Sequence, residues 1–251
     1  MATFTSFQNI LPDPNNYISY AGSISSSDAG AALGPGFTSV KFTSNQPTMM
    51  TRTNSGRVIT RSVAAHSWKI GIQYNSLTRN EFEPVFSFLL SRQGKLNPFF
   101  VELPQYIAAQ DSSFASHVSS NPNSVAISEG SAIPAGRTYF RLGYSGAGTP
   151  RPGDVFTITD GSNSNHTKAY QVTRVETNSD YNSSFDNSTN PGSNQLRLHF
   201  SPPLVYSVAD TSKLDFVNPQ VRVIQTGDVQ EYSLGVDGLY KFNLNVEEAA
   251  P

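Results

Sequence analysis

The side chains that most often bind metals or transfer protons are few and widely separated in this sequence. The four histidines are His66, His117, His166 and His199, and neither a His-x-His nor a His-Glu-x-x-His spacing occurs among them. There are no cysteines, which excludes disulfides, cysteine-ligated zinc, iron–sulfur clusters and thiol nucleophiles. Because a zinc site needs three or four converging ligands, we expect no metal centre and no cofactor.

A glycine-rich stretch, GYSGAG at residues 143–148, is superficially similar to the elbow that presents a catalytic serine. Ala147 stands where that motif requires its last glycine, and no helical pattern follows. The same glycines cannot begin a dinucleotide-binding fingerprint, because Arg151 occupies the third glycine position. We therefore interpret the stretch as a turn.

The carboxylates are also poorly arranged for chemistry. Asx-rich segments begin at Asp160 and Asp180, and neither has the twelfth-position glutamate of a calcium-binding loop. The nearest carboxylate pairs in the sequence are Glu81 with Glu83 and Glu247 with Glu248. Glu81 suits a helix cap, and the second pair is close to the end of the sequence, where no dry pocket is expected. No residue is predicted to be catalytic, and the chain is not predicted to be an enzyme.

The overall composition indicates a β protein without a global charge preference. The 251 residues include 17 Lys and Arg against 19 Asp and Glu, and only 14% of residues are charged. A chain of few charges with many turn-forming and aromatic residues suits β structure. We see no signal peptide and no apolar run near the roughly 20 residues that cross a bilayer. We expect neither specific nucleic-acid binding nor membrane insertion. We expect the protein to be synthesised in a bacterial cytoplasm.

The charges are unevenly distributed along the chain. Residues 41–100 hold eight Lys and Arg against two Asp and Glu, whereas residues 210–251 hold three against seven. One interpretation is chance variation on two solvated faces. The other is that the basic face of one copy meets the acidic face of another copy in a ring. The candidate ring-interface residues are Arg52, Arg57, Arg61, Glu231 and Asp237.

The first part of the chain predicts a hairpin, a strand and a helix in that order. Two alternating runs flank Gly56, which fits a hairpin, and residues 67–74 place Trp68, Ile70, Ile72 and Tyr74 on one face of a half-buried strand. A helix is expected at about residues 80–93, with a capping box before it. Its predicted apolar stripe consists of Phe82, Val85, Phe86, Leu89 and Leu90. Pro84 favours a start near Asn80.

The rest of the chain predicts a small β module and then two closing strands. Four or five short β-like segments between residues 107 and 209 suggest a small barrel or sandwich, after a loop-rich start. The closing segment needs partners, because an isolated strand pair is marginal in water. The sequence therefore predicts one discontinuous β domain, residues 1–106 with 210–251, and an inserted β module at 107–209. The first 45 residues suit short strands, loops or an arm.

The order of these segments resembles a family of phage tail proteins, the distal tail proteins and related minor tail or baseplate-ring subunits. The resemblance rests on TRTNSGRVITRS, HSWKIGIQY, the helix LTRNEFEPVFSFLLSRQGKLNPFF, the strand VELP, the β insertion, and the final segment from NPQVRVIQ to VEEA. It covers residues 45–251. The resemblance implies a β-sandwich-like domain with one packed helix that forms a ring, with an inserted barrel or sandwich.

The resemblance also implies a mechanical role in a virion, at the tail tip or baseplate. Such proteins assemble as rings of six copies that join the tail tube protein to the hub and other baseplate proteins. The inserted module faces fibres or host glycans. The alternative function is a carbohydrate- or receptor-binding module of a virion, formed by residues 107–209. A β-rich hydrolase is a third hypothesis, and it would need several carboxylates or histidines that converge in a cleft.

Overall fold

The computed structural model describes residues 9–13, 35–62, 66–163, 166–181, 190–227 and 231–249. The chain divides into two compact units. Unit 1 is Met1–Val101 with Arg222–Ala250, and unit 2 is Glu102–Val221. The predicted boundaries are 106/107 and 209/210, and the existence of two independently folding domains stays a prediction.

Short strands make up most of the regular structure. In chain order the elements are β1 (Phe37–Asn45), β2 (Thr48–Arg52), β3 (Val58–Ser62), β4 (Ser67–Tyr74), α1 (Arg79–Ser91), β5 (Phe99–Glu102), a 3₁₀ turn (Pro104–Tyr106), α2 (Ser112–Ser120), β6 (Ala126–Ile127), β7 (Tyr139–Gly143), β8 (Val155–Thr159), β9 (Ala169–Glu176), β10 (Gln195–Ser201), β11 (Lys213–Asp215), β12 (Gln220–Gln225), β13 (Ser233–Leu234), β14 (Tyr240–Lys241) and β15 (Asn243–Glu248). The predicted mainly β fold class is confirmed.

Unit 1 is built on a five-stranded sheet in the order β1-β4-β15-β12-β5. The alternation predicted for β4 is present, because Trp68, Ile70, Ile72 and Tyr74 are all buried. The closing strand β15 pairs antiparallel with β4, with Leu244 opposite Ile72. Two strands that are far apart in the sequence thus lie side by side, and the closing segment contributes buried side chains to the core of unit 1.

Helix α1 packs in unit 1, where the Phe88 ring lies 5.5 Å from the ring of Phe99 on β5. Its first turn is capped by Glu81, whose carboxylate accepts from the backbone N–H and the hydroxyl of Thr78, both at 2.8 Å. The helix begins at Arg79, one residue before the expected start near Asn80, and Pro84 lies inside it. The predicted apolar stripe is wrong at one position: Leu90 is 54% exposed, and Phe88 is buried instead.

Unit 2 contains a closed six-stranded barrel in the order β10-β7-β6-β11-β8-β9. The four predicted segments became β7 to β10, and the very short β6 and β11 close the ring of strands. The interior is rich in aromatic side chains from several strands. These include Phe140, Phe156, Tyr170, Phe200 and Phe216. The sequence predicted either a barrel or a sandwich, and the structure has a barrel.

Helix α2 is a correction to the sequence-based prediction, which expected loops between residue 107 and the first barrel strand. Asp111 caps the helix by accepting from the backbone N–H of Phe114 at 3.0 Å. Phe114 and Val118, four residues apart, are its buried positions. The serine-rich helix is fixed by this two-residue anchor in the barrel core and by its cap, since its intrinsic helix propensity is weak.

Candidate functional site

A basic hairpin, formed by β2 and β3, stands apart from the main sheet of unit 1. It is a two-stranded sheet on its own, and every side chain of β2 is exposed. Its two apolar methionines, Met49 and Met50, are 66% and 64% exposed. A two-stranded hairpin with exposed apolar side chains is marginal in water, so this hairpin is suited to contact another chain.

Each face of the basic hairpin combines an apolar side chain with an arginine. On one face Met49 lies opposite Arg61, and on the other Arg52 lies opposite Val58. The turn carries Arg57, and Gly56 has a positive φ of 82°, a conformation that favours glycine. No ion pair joins these three arginines to a residue that the structure describes. The mixture of cations and methionines is typical of an interface for an acidic partner.

A second, acidic hairpin projects from the other end of unit 1. Strands β13 and β14 pair with each other, and Leu77 and Tyr240 exchange two backbone hydrogen bonds, of 2.8 and 2.9 Å. Its tip is apolar, because Val236 is fully exposed and Leu234 is 56% exposed. Of the two candidate acidic residues, Asp237 is exposed in the turn and Glu231 is exposed two residues before β13.

Stacked aromatic rings hold the acidic hairpin against α1. The rings of Phe82 and Tyr240 are parallel to within 12° at 4.5 Å, and Phe82 also lies 5.0 Å from Tyr232. Tyr232 is still 49% exposed, so one of its faces is open to solvent. The helix thereby fixes the position of an exposed hairpin, which is what a protein–protein contact requires.

The predicted interface residues therefore lie on two separate protruding hairpins of one unit. Arg52, Arg57 and Arg61 are on the basic hairpin, and Glu231 and Asp237 are on the acidic hairpin. Their role at an interface stays a prediction. The sequence did not single out the apolar partners of these charges, namely Met49, Met50, Val58, Ile59, Tyr232, Leu234 and Val236. A count of charges along the chain does not reveal these apolar residues, because they alternate with charged and polar ones.

The histidines, carboxylates and glycine-rich turn that the sequence analysis considered for chemistry make contacts typical of turns and packing. Within the described residues, no group of three or more His, Asp or Glu side chains is placed to hold a metal ion. Asp160 accepts from the backbone N–H and hydroxyl of Ser162, as expected of a turn. The Gly146 turn is packed against His117, and Tyr144 donates to the carbonyl of Ala147 at 2.6 Å.

The closing carboxylate pair differs from its prediction. Glu248 is buried, and its Oε2 accepts from the backbone N–H of Trp68 at 3.2 Å. Glu247 accepts from the hydroxyl of Ser67 at 3.0 Å. The pair lies in an ordered part of the sheet, where it joins β15 to the start of β4. These two hydrogen bonds give both carboxylates of the last strand a structural role.

Two histidines of unit 2 are expected to make its stability dependent on pH. His166 is 4% exposed, its Nε2 lies 2.8 Å from the Tyr170 hydroxyl, and burial lowers its pKa against the opposing charge of Asp160. Burial also lowers the pKa of His199, with Arg174 acting in the same direction. Below about pH 6.5 these histidines bind protons more readily in the unfolded chain than in the folded one. The free energy of unfolding therefore falls as the pH is lowered.

We therefore expect the melting temperature of unit 2 to fall between about pH 7 and pH 5. In the double variant His166→Gln with His199→Gln, the melting temperature should change less between these two pH values, whatever the effect of the substitutions on absolute stability. Asp111, Asp160 and Asp180 also have lowered pKa values, but they lose their stabilising charge only below about pH 4. Calorimetry at the two pH values checks this, and an unchanged slope in the double variant would contradict it.

No helix among the described residues combines the length and apolar character that a membrane span requires.

The described residues form a β-rich fold, and unit 1 carries two hairpins that expose apolar side chains. Residues 27–106 match the family model described as the N-terminal part of the A domain of the distal tail protein pb9. The match spans β1 to the 3₁₀ turn, and therefore includes the basic hairpin and α1. No curated protein matches the chain.

This match confirms the predicted resemblance to phage distal tail proteins over residues 27–106. The match supports a structural role in a phage tail, as a component of the virion.

Proposed function

We propose that the protein assembles head to tail into a closed ring at the tail tip or baseplate. The observation that carries this proposal is the pair of protruding hairpins in unit 1. One carries three arginines, the other carries Glu231 and Asp237 together with a single lysine, Lys241, and both expose apolar side chains. The carboxylates of one hairpin could therefore pair with the arginines of the other in a neighbouring copy. The exposed apolar side chains of the two hairpins could pack against each other.

The chemical difference between the hairpins favours a ring over a two-fold dimer. If the basic hairpin met its own copy across a two-fold axis, Arg52, Arg57 and Arg61 would face like charges. A head-to-tail contact instead joins unlike surfaces, and it generates a ring when the rotation between copies closes. The copy number of six comes from the family resemblance alone.

The open edge of the main sheet supports the same proposal. Strand β1 is nine residues long and lies at the end of the sheet order, with β4 as its one neighbour among the described strands. It continues directly into the basic hairpin. Long exposed edge strands are natural sites for pairing with another chain. A neighbouring copy that contacts the hairpin would therefore also be close to this edge.

In the proposed role the ring is a mechanical adaptor without catalysis. It joins the tail tube protein to the hub and other baseplate proteins, and unit 2 is available to contact fibres or host glycans. The genome passes through the channel without specific contact. These partners follow from the family resemblance, and the two hairpins of unit 1 are the surfaces we assign to the contact between copies.

Cysteine cross-linking between different copies tests the proposal, since the natural chain has no cysteine. One preparation carries Met50→Cys, and a second, with a size tag, carries Val236→Cys. Mild oxidation of the mixture should give a heterodimer several-fold more abundant than either homodimer. A disulfide forms only where the two Cα atoms approach to within about 7 Å, so Met49→Cys and Leu234→Cys are included to cover neighbouring registers.

The matched control pairs Met50→Cys with Lys213→Cys. Lys213 lies on β11 of the barrel, outside both hairpins, and should give no enriched heterodimer. Random mixing of homodimers and heterodimers in all four hairpin combinations would show that the hairpins do not meet, and the proposed interface would be wrong.

A further inference from the structure

An aromatic surface of unit 1 extends from the acidic hairpin onto helix α1. We call it the aromatic platform, and it consists of Phe86 on the helix, Tyr232 directly before β13, and Tyr240 on β14. The Phe86 ring meets the Tyr232 ring edge to face at 5.3 Å, and the two tyrosine rings lie 5.6 Å apart. Phe82, which is 2% exposed, contacts all three rings from the core. The platform is therefore anchored in the core of unit 1.

Tyr232 is the most exposed ring of the platform. Half of it is accessible, whereas Phe86 and Tyr240 are half-buried. Leu234, opposite Tyr240 in the hairpin, adds an exposed apolar side chain beside the rings. A tyrosine held by other rings gives up little conformational entropy when a partner binds, and tyrosine is enriched among the residues that dominate interfaces. Tyr232 is thus placed to contribute strongly to binding.

The charges next to the platform favour an uncharged partner for its rings. Arg79 on α1 is paired with Glu83 at 2.6 Å, and both side chains are more than half exposed. Glu83 and, to a smaller extent, Tyr240 raise the pKa of Arg79, which places this cation near the platform. An arginine from another chain would approach a cation that is already present, whereas an uncharged side chain would not. The rings therefore suit an apolar side chain better than a guanidinium.

The basic hairpin presents two side chains of this kind. Met49 and Met50 are among the most exposed large apolar residues that the structure describes. The methionine thioether is uncharged, polarizable and carried on an unbranched chain, so it adapts to the surface that it meets. Contacts between such a sulfur and an aromatic ring, at about 5 Å, contribute about 0.3–1.5 kcal/mol each. A methionine thus fits the open face of a tyrosine.

Each methionine has an arginine close to it on the same face of the basic hairpin. Arg61 is directly opposite Met49, and Arg52 is two residues after Met50, about 7 Å along the strand. On the other side of the proposed contact, Glu231 is the chain neighbour of the exposed tyrosine. Both surfaces therefore carry an apolar group and a charge at a similar spacing, and the charges are of opposite sign.

We propose that a methionine of the basic hairpin packs against the open face of Tyr232 in a neighbouring copy of this chain. This contact supplies most of the apolar affinity between copies, and the arginines and carboxylates around it fix the orientation. The inference rests on the proposed head-to-tail contact between hairpins. It goes further by assigning the centre of that contact to one ring and one thioether.

A photo-cross-linker at position 232 tests which group meets this ring. In one preparation of the full-length chain, p-benzoylphenylalanine replaces Tyr232. It is mixed with the natural chain in isotopically labelled form, so that links between copies are distinguished from links within one copy. After irradiation, mass spectrometry should place the link on the labelled peptide that contains Met49 and Met50.

Substitutions measure how much this contact contributes. In analytical ultracentrifugation, Tyr232→Ser should weaken association at least about tenfold, and Tyr232→Phe, which keeps the ring, by less than about threefold. The matched control, Leu96→Ser, removes an apolar side chain that is 69% exposed outside both hairpins, and should associate as the natural chain does. Either Met49→Ser or Met50→Ser should reproduce the loss, and adding Tyr232→Ser to that variant should weaken association little further.

These results separate the tyrosine contact from the ring itself. If the natural chain does not associate at any concentration, the proposed ring is wrong, and the contact assigned to Tyr232 is wrong with it. If copies associate, the contact alone is overturned by links outside β2 and β3, by equal association of Tyr232→Ser and Leu96→Ser, or by fully additive losses in the combined variant.

Discussion

Reversing the charge at Arg52, Arg57 and Arg61 to glutamate is expected to abolish ring formation. The three side chains are exposed on the basic hairpin, and in the proposed ring they face the acidic hairpin of the next copy. Opposed like charges at an interface cost several kcal/mol. A loss of about 3 kcal/mol per contact corresponds to roughly 100-fold weaker association between neighbouring copies. Analytical ultracentrifugation of the purified variant measures the change.

A second triple variant separates the interface from the total charge. Arg79→Glu, Lys95→Glu and Lys213→Glu also move the formal charge from −2 to −8, because each substitution changes it by two. These cations lie outside both hairpins, so this variant should still form rings. The hairpin variant should unfold within about 0.5 kcal/mol of the natural chain, as exposed substitutions generally do. The control should lose at most about 1 kcal/mol, because Arg79→Glu also breaks the exposed pair with Glu83.

Restoring the complementary charge gives the sharpest form of this prediction. Glu231→Lys with Asp237→Lys should also prevent assembly on its own. A chain that carries both sets of reversals should regain rings, because each reversed hairpin then meets a reversed partner. Loss of rings in the matched control, or no recovery in the combined variant, would show that total charge and not the hairpin pair governs assembly.

Substitution of Glu176 by glutamine is expected to destabilise the barrel of unit 2 strongly. Arg197 is 1% exposed, and Glu176 accepts its hydrogen bond at 2.8 Å. Removal of one charge from a buried pair leaves the other uncompensated, which costs about 3–5 kcal/mol. Hydrogen exchange of the barrel amides and urea unfolding report this loss.

Two further variants show whether the uncompensated charge is the cause. Glu176→Leu with Arg197→Met removes both charges together, and it should recover most of the lost stability. Glu83→Gln breaks the exposed pair with Arg79, whose side chain is 74% exposed, and should cost at most about 0.5 kcal/mol. If Glu176→Gln cost less than about 1 kcal/mol, another contact would be holding Arg197 in place.

The sequence predicted the elements that are long and strictly periodic. In β4, alternate side chains enter the core, so Ile70 could be placed from spacing alone. Helix α1 was found because its stripe repeats over three turns and Glu81 caps it. The exposure of Leu90 could not be predicted, since the position of neighbouring elements decides which edge of a stripe is covered.

Short elements and buried charges were not visible in the sequence. Strands β6 and β11 have two and three residues, too few for a period, and they exist because the barrel supplies their partners. Arg197 occupies an outward position on β10, where an exposed side chain is the normal expectation. Its burial depends on Glu176 and on the Tyr181 ring, which are 21 and 16 positions away in the sequence. Only the folded chain brings these groups together.

The central claim, head-to-tail assembly through the two hairpins, is tested most directly by the size and shape of the purified protein. Light scattering over a range of concentrations, followed by negative-stain imaging, gives both. We predict closed rings with a central hole and a mass close to six times 27.2 kDa. A protein that stays monomeric at every concentration and salt condition, or that forms only two-fold dimers, would contradict the proposal.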